Sequence, residues 1–211
     1  MPVPTGIRTE RRSQAERTAK SDHEIFRAAI ELISEKGPRD VTLAEIGKLA
    51  GYSGPLISHR FGSKSGLLIA ITERIVELFL NQLLSNALKS GEPFKDLIAF
   101  MQVYLRQAAN GSSLFRCFYL LMNESYATLP ELLPEFQSIN LRMCHAIEQK
   151  ILAGMVDGDF LEDLDPAFEA LVFVAQLRGL ANLWLVGPRS YDLEGVASRQ
   201  REFMVQRWLK Q

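Results

Sequence analysis

The residues with the clearest capacity for chemistry are polar and basic side chains gathered between residues 42 and 64. Thr42 followed by Glu45 forms a capping-box pattern, in which the hydroxyl and the carboxylate each satisfy a free backbone N–H at a helix start. Apolar residues continue at helical spacing up to Gly51, which lies where a left-handed C-cap residue is expected. The pattern therefore predicts a short helix that ends in a tight turn.

A second short helix is predicted directly after this turn. Ser53 can cap it, and proline fits its first turn because the N–H groups there have no intrahelical partner. Its apolar residues Leu56, Ile57 and Phe61 are expected to face inward. The outer side is then shared by Gly54, Pro55, Ser58, His59 and Arg60.

Two short helices joined by a turn of about three or four residues form a helix-turn-helix, whose second helix presents its N-terminal side chains to base edges in the major groove of DNA. The alternative is a piece of an ordinary helical bundle, and spacing alone does not separate the two. In the DNA-binding interpretation, Thr42 and Lys64 hold phosphates. The residues along the reading helix are Tyr52, Ser53, Gly54, Pro55, Ser58, His59 and Arg60.

A long helix is predicted after Gly62, with Ser63 as its cap and an end near residue 88. The free backbone N–H groups and the dipole at its start favour an anion, and Lys64 adds a full positive charge. A DNA phosphate is the natural ligand for this arrangement. The alternative is that Lys64 is an ordinary surface lysine.

This stretch resembles the DNA-binding domain of the tetracycline-repressor (TetR) family of bacterial transcription regulators. The matching positions are Ile46, Ala50, Gly51, Ser53, Phe61, Ser63, Lys64, Leu67 and Leu68. The chain departs from the family pattern at Gly47, where Ala is common, at Tyr52, where Val is common, and at Ser58, where Tyr is usual. The resemblance implies a phosphate contact by Lys64, and it leaves the contact of the missing tyrosine to Ser58 or His59.

The chain has 211 residues, 47% of them hydrophobic, and a formal net charge of -1, which leaves room for two helical domains with buried cores. The near-neutral total argues against a protein that simply coats nucleic acid. Residues 1–70 carry 11 Lys and Arg against 8 Asp and Glu, whereas residues 71–211 carry 13 against 17. This asymmetry gives weak support to a DNA-binding domain followed by an acidic regulatory domain.

Neither catalysis nor a metal or other cofactor is expected. The sequence shows no nucleophile beside a base, no paired carboxylates and no glycine-rich phosphate loop. Cys117 and Cys144 lie far apart on apolar helical patterns, and the three histidines have no metal-ligand spacing. The N-terminal residues lack the apolar stretch of a signal peptide, and no run approaches the ~18 apolar residues of a membrane span. A cytoplasmic protein without a membrane partner is therefore expected.

Residues 1–12 hold three arginines, two prolines and a glycine, a composition that cannot bury a core. They form either a solvated tail or a flexible basic arm that orders on DNA. The first long helix starts near Ser13 or near Ser21, since each begins a capping-box pattern, and it ends at Gly37–Pro38.

The remaining chain predicts further helices separated by Gly and Pro, which makes the protein all-α with about nine helices. The helix that begins at Asp165–Pro166 is apolar nearly all round and must be buried on several sides. Together with the last helix it is expected to form a homodimer interface over residues 166–187 and 192–210, and a monomeric core is the alternative. The 157–166 run resembles the C-terminal domains of many TetR-type regulators, which implies dimerisation through a four-helix bundle.

The middle helices are rich in Met, Phe, Tyr and Leu, which suits a pocket for a small apolar or amphipathic ligand and equally suits a plain core. The candidate lining residues are Tyr104, Phe118, Met122, Met143, Arg178, Asn182 and Trp184. Arg178 and Asn182 lie one turn apart in an otherwise apolar helix and need partners if they are buried. They either orient a ligand or bridge a dimer.

These patterns predict a basic arm (1–12), a three-helix helix-turn-helix domain (13–62) and a ligand-binding and dimerisation domain (63–211), whose first helix (63–88) connects the two. The resemblance implies a homodimeric repressor that a ligand releases from a palindromic operator on double-stranded DNA. The alternatives are a non-specific or architectural DNA-binding protein and a regulator without a small-molecule ligand.

Overall fold

The structure, a computed structural model, describes residues 14–187 and 192–210, apart from the side chains of 80–86 and 193. The predicted basic arm and Ser13 lie outside the described residues. The described part forms nine α-helices: α1 (Gln14–Asp40), α2 (Leu43–Ala50), α3 (Gly54–Phe61), α4 (Lys64–Ala87), α5 (Pro93–Ala109), α6 (Ser113–Ser125), α7 (Leu133–Val156), α8 (Pro166–Val186) and α9 (Leu193–Trp208). The all-α prediction is confirmed.

Helix α1 begins at Gln14, well before Ser21, and Gly37 breaks it near its end. The hydroxyl of Ser21 donates to the carbonyl of Thr18 at 2.8 Å inside the helix, so Ser21 is not its cap. Gly37 interrupts the helix with φ 83° and ψ 161°, and one further turn continues to Asp40. The predicted end of the long helix at Gly37–Pro38 is therefore confirmed, and the residues up to Asp40 form a separate short turn beyond the kink.

The first three helices share a small apolar core. Ile25, Ala29 and Ile33 of α1 pack with Ile46 of α2 and Ile57 of α3, and all five are buried. Burial of each isoleucine side chain stabilises the folded state by about 1.5–3 kcal/mol. This core fixes the positions of the two short helices relative to α1.

The three predicted helix caps are confirmed. The backbone N–H of Glu45 donates to Thr42 Oγ1 at 3.2 Å, and the Glu45 carboxylate accepts from the Thr42 N–H at 2.9 Å, which completes the capping box. Ser53 Oγ accepts from the N–H of Leu56 at 3.3 Å. Ser63 Oγ accepts from the N–H of Gly66 at 3.0 Å, so α4 starts where the sequence predicted.

Gly47 has a steric reason to replace the alanine that is common in the resembled family. A Cβ at this position would lie 2.5 Å from the backbone oxygen of Tyr52. The turn between α2 and α3 therefore folds directly onto the backbone of α2, which only glycine permits without a shift.

The second half of the chain buries a continuous apolar core. Helices α5, α7 and α8 pack against one another, and α4 covers α5 and α7. Helix α1 packs along α6 more extensively than any other pair of helices in the described part of the chain. The helix-turn-helix region is therefore joined to the rest through both α4 and α6.

Helix α8 is buried on only one face. Its inner residues include Phe173, Val174 and Leu177, whereas Phe168, Leu171, Leu183 and Val186 on another face are exposed. By length and composition, Pro166–Val186 is one described helix that is apolar enough to cross a membrane, with about a third of its most apolar window buried. The sequence-based expectation that no run approaches a membrane span did not anticipate this. Core helices of other proteins satisfy the same criterion.

A buried carboxylate holds α9 against α8. Glu169 accepts from Nη2 of Arg207 at 2.5 Å and from Nε1 of Trp208 at 2.8 Å, and its residue is only 4% exposed. The hydrogen bonds from Arg207 lower the pKa of Glu169 below its usual value of 4.5, against the opposing effect of burial. The charged carboxylate therefore stabilises this contact.

We predict that Glu169→Gln lowers the free energy of unfolding at neutral pH by about 1–3 kcal/mol, because it removes charge-assisted hydrogen bonds. A folded-state pKa below 4.5 stabilises the protein above that pH, and the contribution is lost as the pH falls through the folded value. The difference in melting temperature between wild type and Glu169→Gln should accordingly shrink in acid.

The control is Glu162→Gln, which removes the exposed ion pair with Lys210 at 2.8 Å. It should change stability much less than Glu169→Gln does, because solvent screens an exposed ion pair. Equal losses in the two variants would show that Glu169 is no more important than a surface carboxylate.

Candidate nucleic-acid interface and ligand site

One side of α3 packs against α1, and the other side is exposed to solvent. Ile57 is buried and Phe61 packs on Phe26 with 5.7 Å between ring centroids. These two α3 residues are four apart and share a face. Leu56 was predicted to face inward, but it is 45% exposed. The prediction failed because Leu56 is turned about 100° away from Ile57 around the helix.

The exposed surface of the two short helices is compact and chemically mixed. Its exposed residues include Pro55, Leu56 and His59 of α3, the N-cap residue Ser53, and Lys48 and Leu49 of α2. We call these six residues the α2–α3 outer surface. It offers a hydroxyl, an imidazole, an ammonium group and apolar side chains, which are the groups that read base edges and thymine methyls.

Three predicted residues lie at the edge of this surface. Tyr52 is half-buried and packs against the core, and the backbone of Gly54 approaches Ala44 closely, since a Cβ on Gly54 would lie 3.3 Å from the Ala44 Cα. Ser58 is half-buried with its hydroxyl directed at the carbonyl of Gly62, 3.4 Å away. Their roles toward DNA stay predictions.

Arg60 is placed differently from the sequence prediction. Its Nε lies 2.9 Å from Oδ1 of Asp22 on α1, and its other nitrogens donate to the Ser21 hydroxyl and, at 3.2 Å, to the carbonyl of Thr18. The guanidinium is thus turned away from the outer surface. In this arrangement the Arg60 side chain holds α3 against α1, and its guanidinium is not directed toward the bases of a bound DNA.

Thr42 also differs from its predicted role as a phosphate ligand. Its hydroxyl donates to Oε2 of Glu45 at 2.8 Å, and its backbone N–H donates to the same carboxylate. The hydrogen bonds to Lys36 and to Thr42 lower the pKa of Glu45 to about 2, so this carboxylate stays charged. Thr42 therefore has no donor left for a phosphate.

Lys64 lies at the start of α4, as predicted, and half-buried. Its ammonium donates to the carbonyl of Arg39 at 2.6 Å. Partial burial lowers its pKa, and the charges of Asp40 and Glu45 oppose that effect. An ammonium group has three donors, so the group can hold the end of α1 and still present hydrogens to an anion.

Sequence reasoning missed Lys48 and Leu56. The sequence placed Lys48 on the first short helix, so it could have been considered as a candidate DNA contact. Its exposure depends on how α2 packs on α1, which its own neighbours do not reveal. For Leu56, the separation of four between Ile57 and Phe61 was the signal that it lies off the buried face.

The predicted ligand-pocket residues are partly brought together. Tyr104, Phe118, Met122 and Met143 are all buried. The guanidinium of Arg178 lies among them, with its central carbon 5.4 Å from the centroid of the Phe118 ring. Two residues behave differently: Asn182 is exposed, so it is not the polar partner in the interior that its spacing suggested, and Trp184 is half-buried at the edge of the core.

Comparison with known proteins matches the first part of the chain to a defined family. The profile described as "Bacterial regulatory proteins, tetR family" matches residues 25–71. The HTH-type transcriptional regulator BetI of Escherichia coli is 38% identical over 82 residues, which is 37% of this chain. That alignment spans 41% of BetI, so the chain matches less than half of this curated relative.

Similar solved structures cover nearly the whole chain. A Saccharomonospora viridis protein, assigned as a transcriptional regulator and solved in complex with choline, has a TM-score of 0.81 at 20% identity and covers 92% of this chain and 100% of its own. The transcriptional regulator FadR of Bacillus subtilis, solved with stearoyl-CoA, has a TM-score of 0.74 at 20% identity, with 87% and 97% coverage. At this identity the likeness establishes the fold.

The contrast between Arg60 and His59 gives a stability prediction. Arg60→Met should lower the free energy of unfolding by about 1–2 kcal/mol, because it leaves the half-buried Asp22 without its cation. His59→Ala should change it by less than about 0.5 kcal/mol, since the imidazole is exposed. Urea unfolding followed by circular dichroism measures both. A larger loss for His59→Ala would place the structural role on the wrong residue.

Proposed function

We propose that this chain is a sequence-specific, DNA-binding transcriptional regulator of the TetR family, because residues 25–71 match the profile of the bacterial regulatory proteins of that family. The α2–α3 outer surface is the observation that carries this proposal. Its helices are held by a shared core, and its exposed side chains can meet base edges without rearrangement. The matched proteins are regulators rather than enzymes.

In this proposal α3 lies in the major groove. Ser53 and His59 form hydrogen bonds with base edges, and Leu56 packs on a thymine methyl. Lys48 and Lys64 hold the flanking phosphates, the latter at the free N-terminus of α4. Residues 13–62 then form the DNA-binding domain and residues 63–211 the regulatory domain, connected by α4.

We further propose a homodimer through α8 and α9. The exposed apolar residues Phe168, Leu171, Leu183 and Val186 are separated by three, twelve and three positions. At 100° per residue these positions lie within about 120° of one another around α8, so they form one stripe. Ala175 and Gly179 are also exposed, between the two ends of the stripe, and a Cβ on Gly179 would meet nothing within 4 Å. Small residues there allow a second α8 to approach closely. Two reading helices about 34–36 Å apart would then match a palindrome.

A ligand in the regulatory domain is proposed to release the DNA. Helix α6 supports this coupling because Phe118 and Met122 point into the interior, while Arg116 donates to the carbonyl of Ser34 on α1 at 2.7 Å. Near the other end of α6, Glu124 pairs with Arg39 at 2.9 Å. A shift of α6 or α4 would therefore move the reading helix, with a coupling of typically ~1–3 kcal/mol.

The test is selection of bound sequences from random duplex DNA by the full-length protein, followed by footprinting. We expect an enriched palindrome with two protected half-sites one DNA turn apart. His59→Ala should relax specificity at one base position, whereas Lys64→Ala should weaken binding to all sequences alike and reduce the salt slope by about 1.

Uniform protection with no enriched sequence, and binding that disappears as salt rises, would instead indicate an architectural or non-specific DNA-binding protein. That result would overturn the regulator proposal. An enriched sequence whose affinity is insensitive to His59→Ala would keep the regulator but move the base contacts away from this residue.

The dimer has its own test in Leu171→Glu, which places a charge in the centre of the proposed α8 interface. We expect the dimer dissociation constant to rise by about thirtyfold or more, equivalent to about 2 kcal/mol. Sedimentation velocity over a dilution series measures it. The matched control is Leu141→Glu, since Leu141 on α7 is 72% exposed and lies off this face. A monomeric wild type, or equal effects of both variants, would refute the interface.

A further inference from the structure

Arg178 places a positive charge in the apolar interior of the regulatory domain. Its Nη1 lies 3.0 Å from the sulfur of Met122, and its Nη2 lies 3.7 Å from the sulfur of Met143. The side-chain Nε is buried and has no hydrogen-bond partner. A guanidinium carries five N–H donors, and thioether sulfurs are weak acceptors. Most of its hydrogen-bonding capacity is therefore unused.

No negative charge in the described part of the chain lies within ion-pair distance of this guanidinium. Burial raises the pKa of the Tyr104 and Tyr119 phenols and of the Cys144 thiol, so all three are neutral. Glu148, one turn beyond Cys144 on α7, lies 3.8 Å from Nδ1 of His145 instead. A charge that is largely withdrawn from water and has no counter-ion is costly, so an anion at this site would be stabilised.

The neighbouring hydroxyl groups are already committed. The phenol oxygens of Tyr104 and Tyr119 are 2.7 Å apart, and the Tyr119 hydroxyl lies 3.4 Å from the backbone carbonyl of Arg178. If Tyr119 donates to that carbonyl, Tyr104 donates to Tyr119, and neither phenol has a hydrogen left. These bonds hold the backbone of α8 at Arg178, while the guanidinium keeps its free donors.

The Arg178 side chain does not lie on the exposed apolar stripe of α8 that is proposed to form the dimer interface. Its guanidinium contacts Met122 of α6 and Met143 of α7, and it lies over the ring of Phe118, so it is directed toward the interior. Of the two roles that the sequence left open for Arg178, a ligand contact and a dimer bridge, this geometry favours the first. The residue as a whole is half-buried, which leaves part of it accessible.

We infer that the regulatory ligand is an organic anion, a carboxylate with an apolar body, and that Arg178 binds its charged group. This inference rests on the proposed ligand-responsive function and names the ligand class of that site. The planar guanidinium matches a carboxylate through two parallel hydrogen bonds. The apolar body packs among Phe118, Met122 and Met143, since methionine side chains adapt readily to a guest.

The same geometry disfavours cations. A quaternary ammonium or amine group placed among these residues would meet the charge of Arg178 in a site of low polarity, where like charges repel strongly. A neutral ligand can accept hydrogen bonds from the guanidinium but leaves its positive charge uncompensated. The charge of the ligand head group is therefore the property that the site discriminates.

The test is titration calorimetry of the full-length protein with octanoate, decanoate and naphthoate, each compared with its neutral primary amide. At neutral pH we expect at least one carboxylate to bind at least tenfold more tightly than its amide. Arg178→Met should remove this preference, and Arg178→Lys should retain part of it, because lysine keeps the charge without the two-pronged geometry.

Two controls separate ligand binding from folding. Arg106→Met removes an exposed arginine on α5 and should keep the carboxylate preference of the wild type. The ligand-free Arg178→Met protein should melt at the same temperature as the wild type or higher, because an unpaired buried charge is replaced by a side chain of similar size.

The proposal is overturned if none of the carboxylates binds, if the amides bind equally well, or if Arg178→Met keeps the preference. These measurements use no DNA, so their failure is distinct from failure of the DNA-binding proposal, which the sequence selection decides. Conversely, a carboxylate preference that depends on Arg178 supports the inference whatever DNA sequence is selected.

Discussion

The Nε hydrogen of Arg116 on α6 reaches the carbonyl of Ser34 on α1, 2.7 Å away, just before Gly37 interrupts α1. A carbonyl inside an unbroken helix already accepts a bond from its own helix, whereas one just before a kink has lost that partner. The residue four positions after Ser34 is Pro38, which has no N–H, so this carbonyl is left free and Arg116 binds it. Through this bond, the position of α1 and of the core that carries α3 is set by α6, whose other face packs in the regulatory interior.

Several cations of the N-terminal region are paired with carboxylates of the protein itself. Arg60 is held by Asp22, Lys36 by Glu45 and Arg39 by Glu124. A charge that is paired within the protein attracts a phosphate weakly. Among the described residues, the attraction of the proposed interface for DNA then comes from a few groups near the outer surface, among them Lys48 and Lys64. This favours recognition by fitted contacts over general electrostatic attachment.

The sequence predicted correctly those features that depend on residues close together in the chain. The caps at Thr42, Ser53 and Ser63 follow from spacing along the chain, so the short helices were predicted correctly. The orientation of Arg60 depends on Asp22, which belongs to a different helix, and no local pattern reveals that pair. The orientation of Leu56 was recoverable from helical geometry, and the prediction failed because three apolar residues were assigned to one face.

Arg60 and Arg178 show how the same residue type acquires opposite meanings. The sequence predicted that Arg60 faces outward and contacts DNA. For Arg178 it left two roles open, a ligand contact and a dimer bridge. In the fold, Arg60 has a carboxylate, a hydroxyl and a carbonyl as partners, whereas Arg178 has two thioethers and a ring. A satisfied arginine is explained by the protein alone. For Arg178, whose buried Nε has no partner, we propose a partner that the chain does not itself supply, and the chemistry of a guanidinium specifies the charge of that partner.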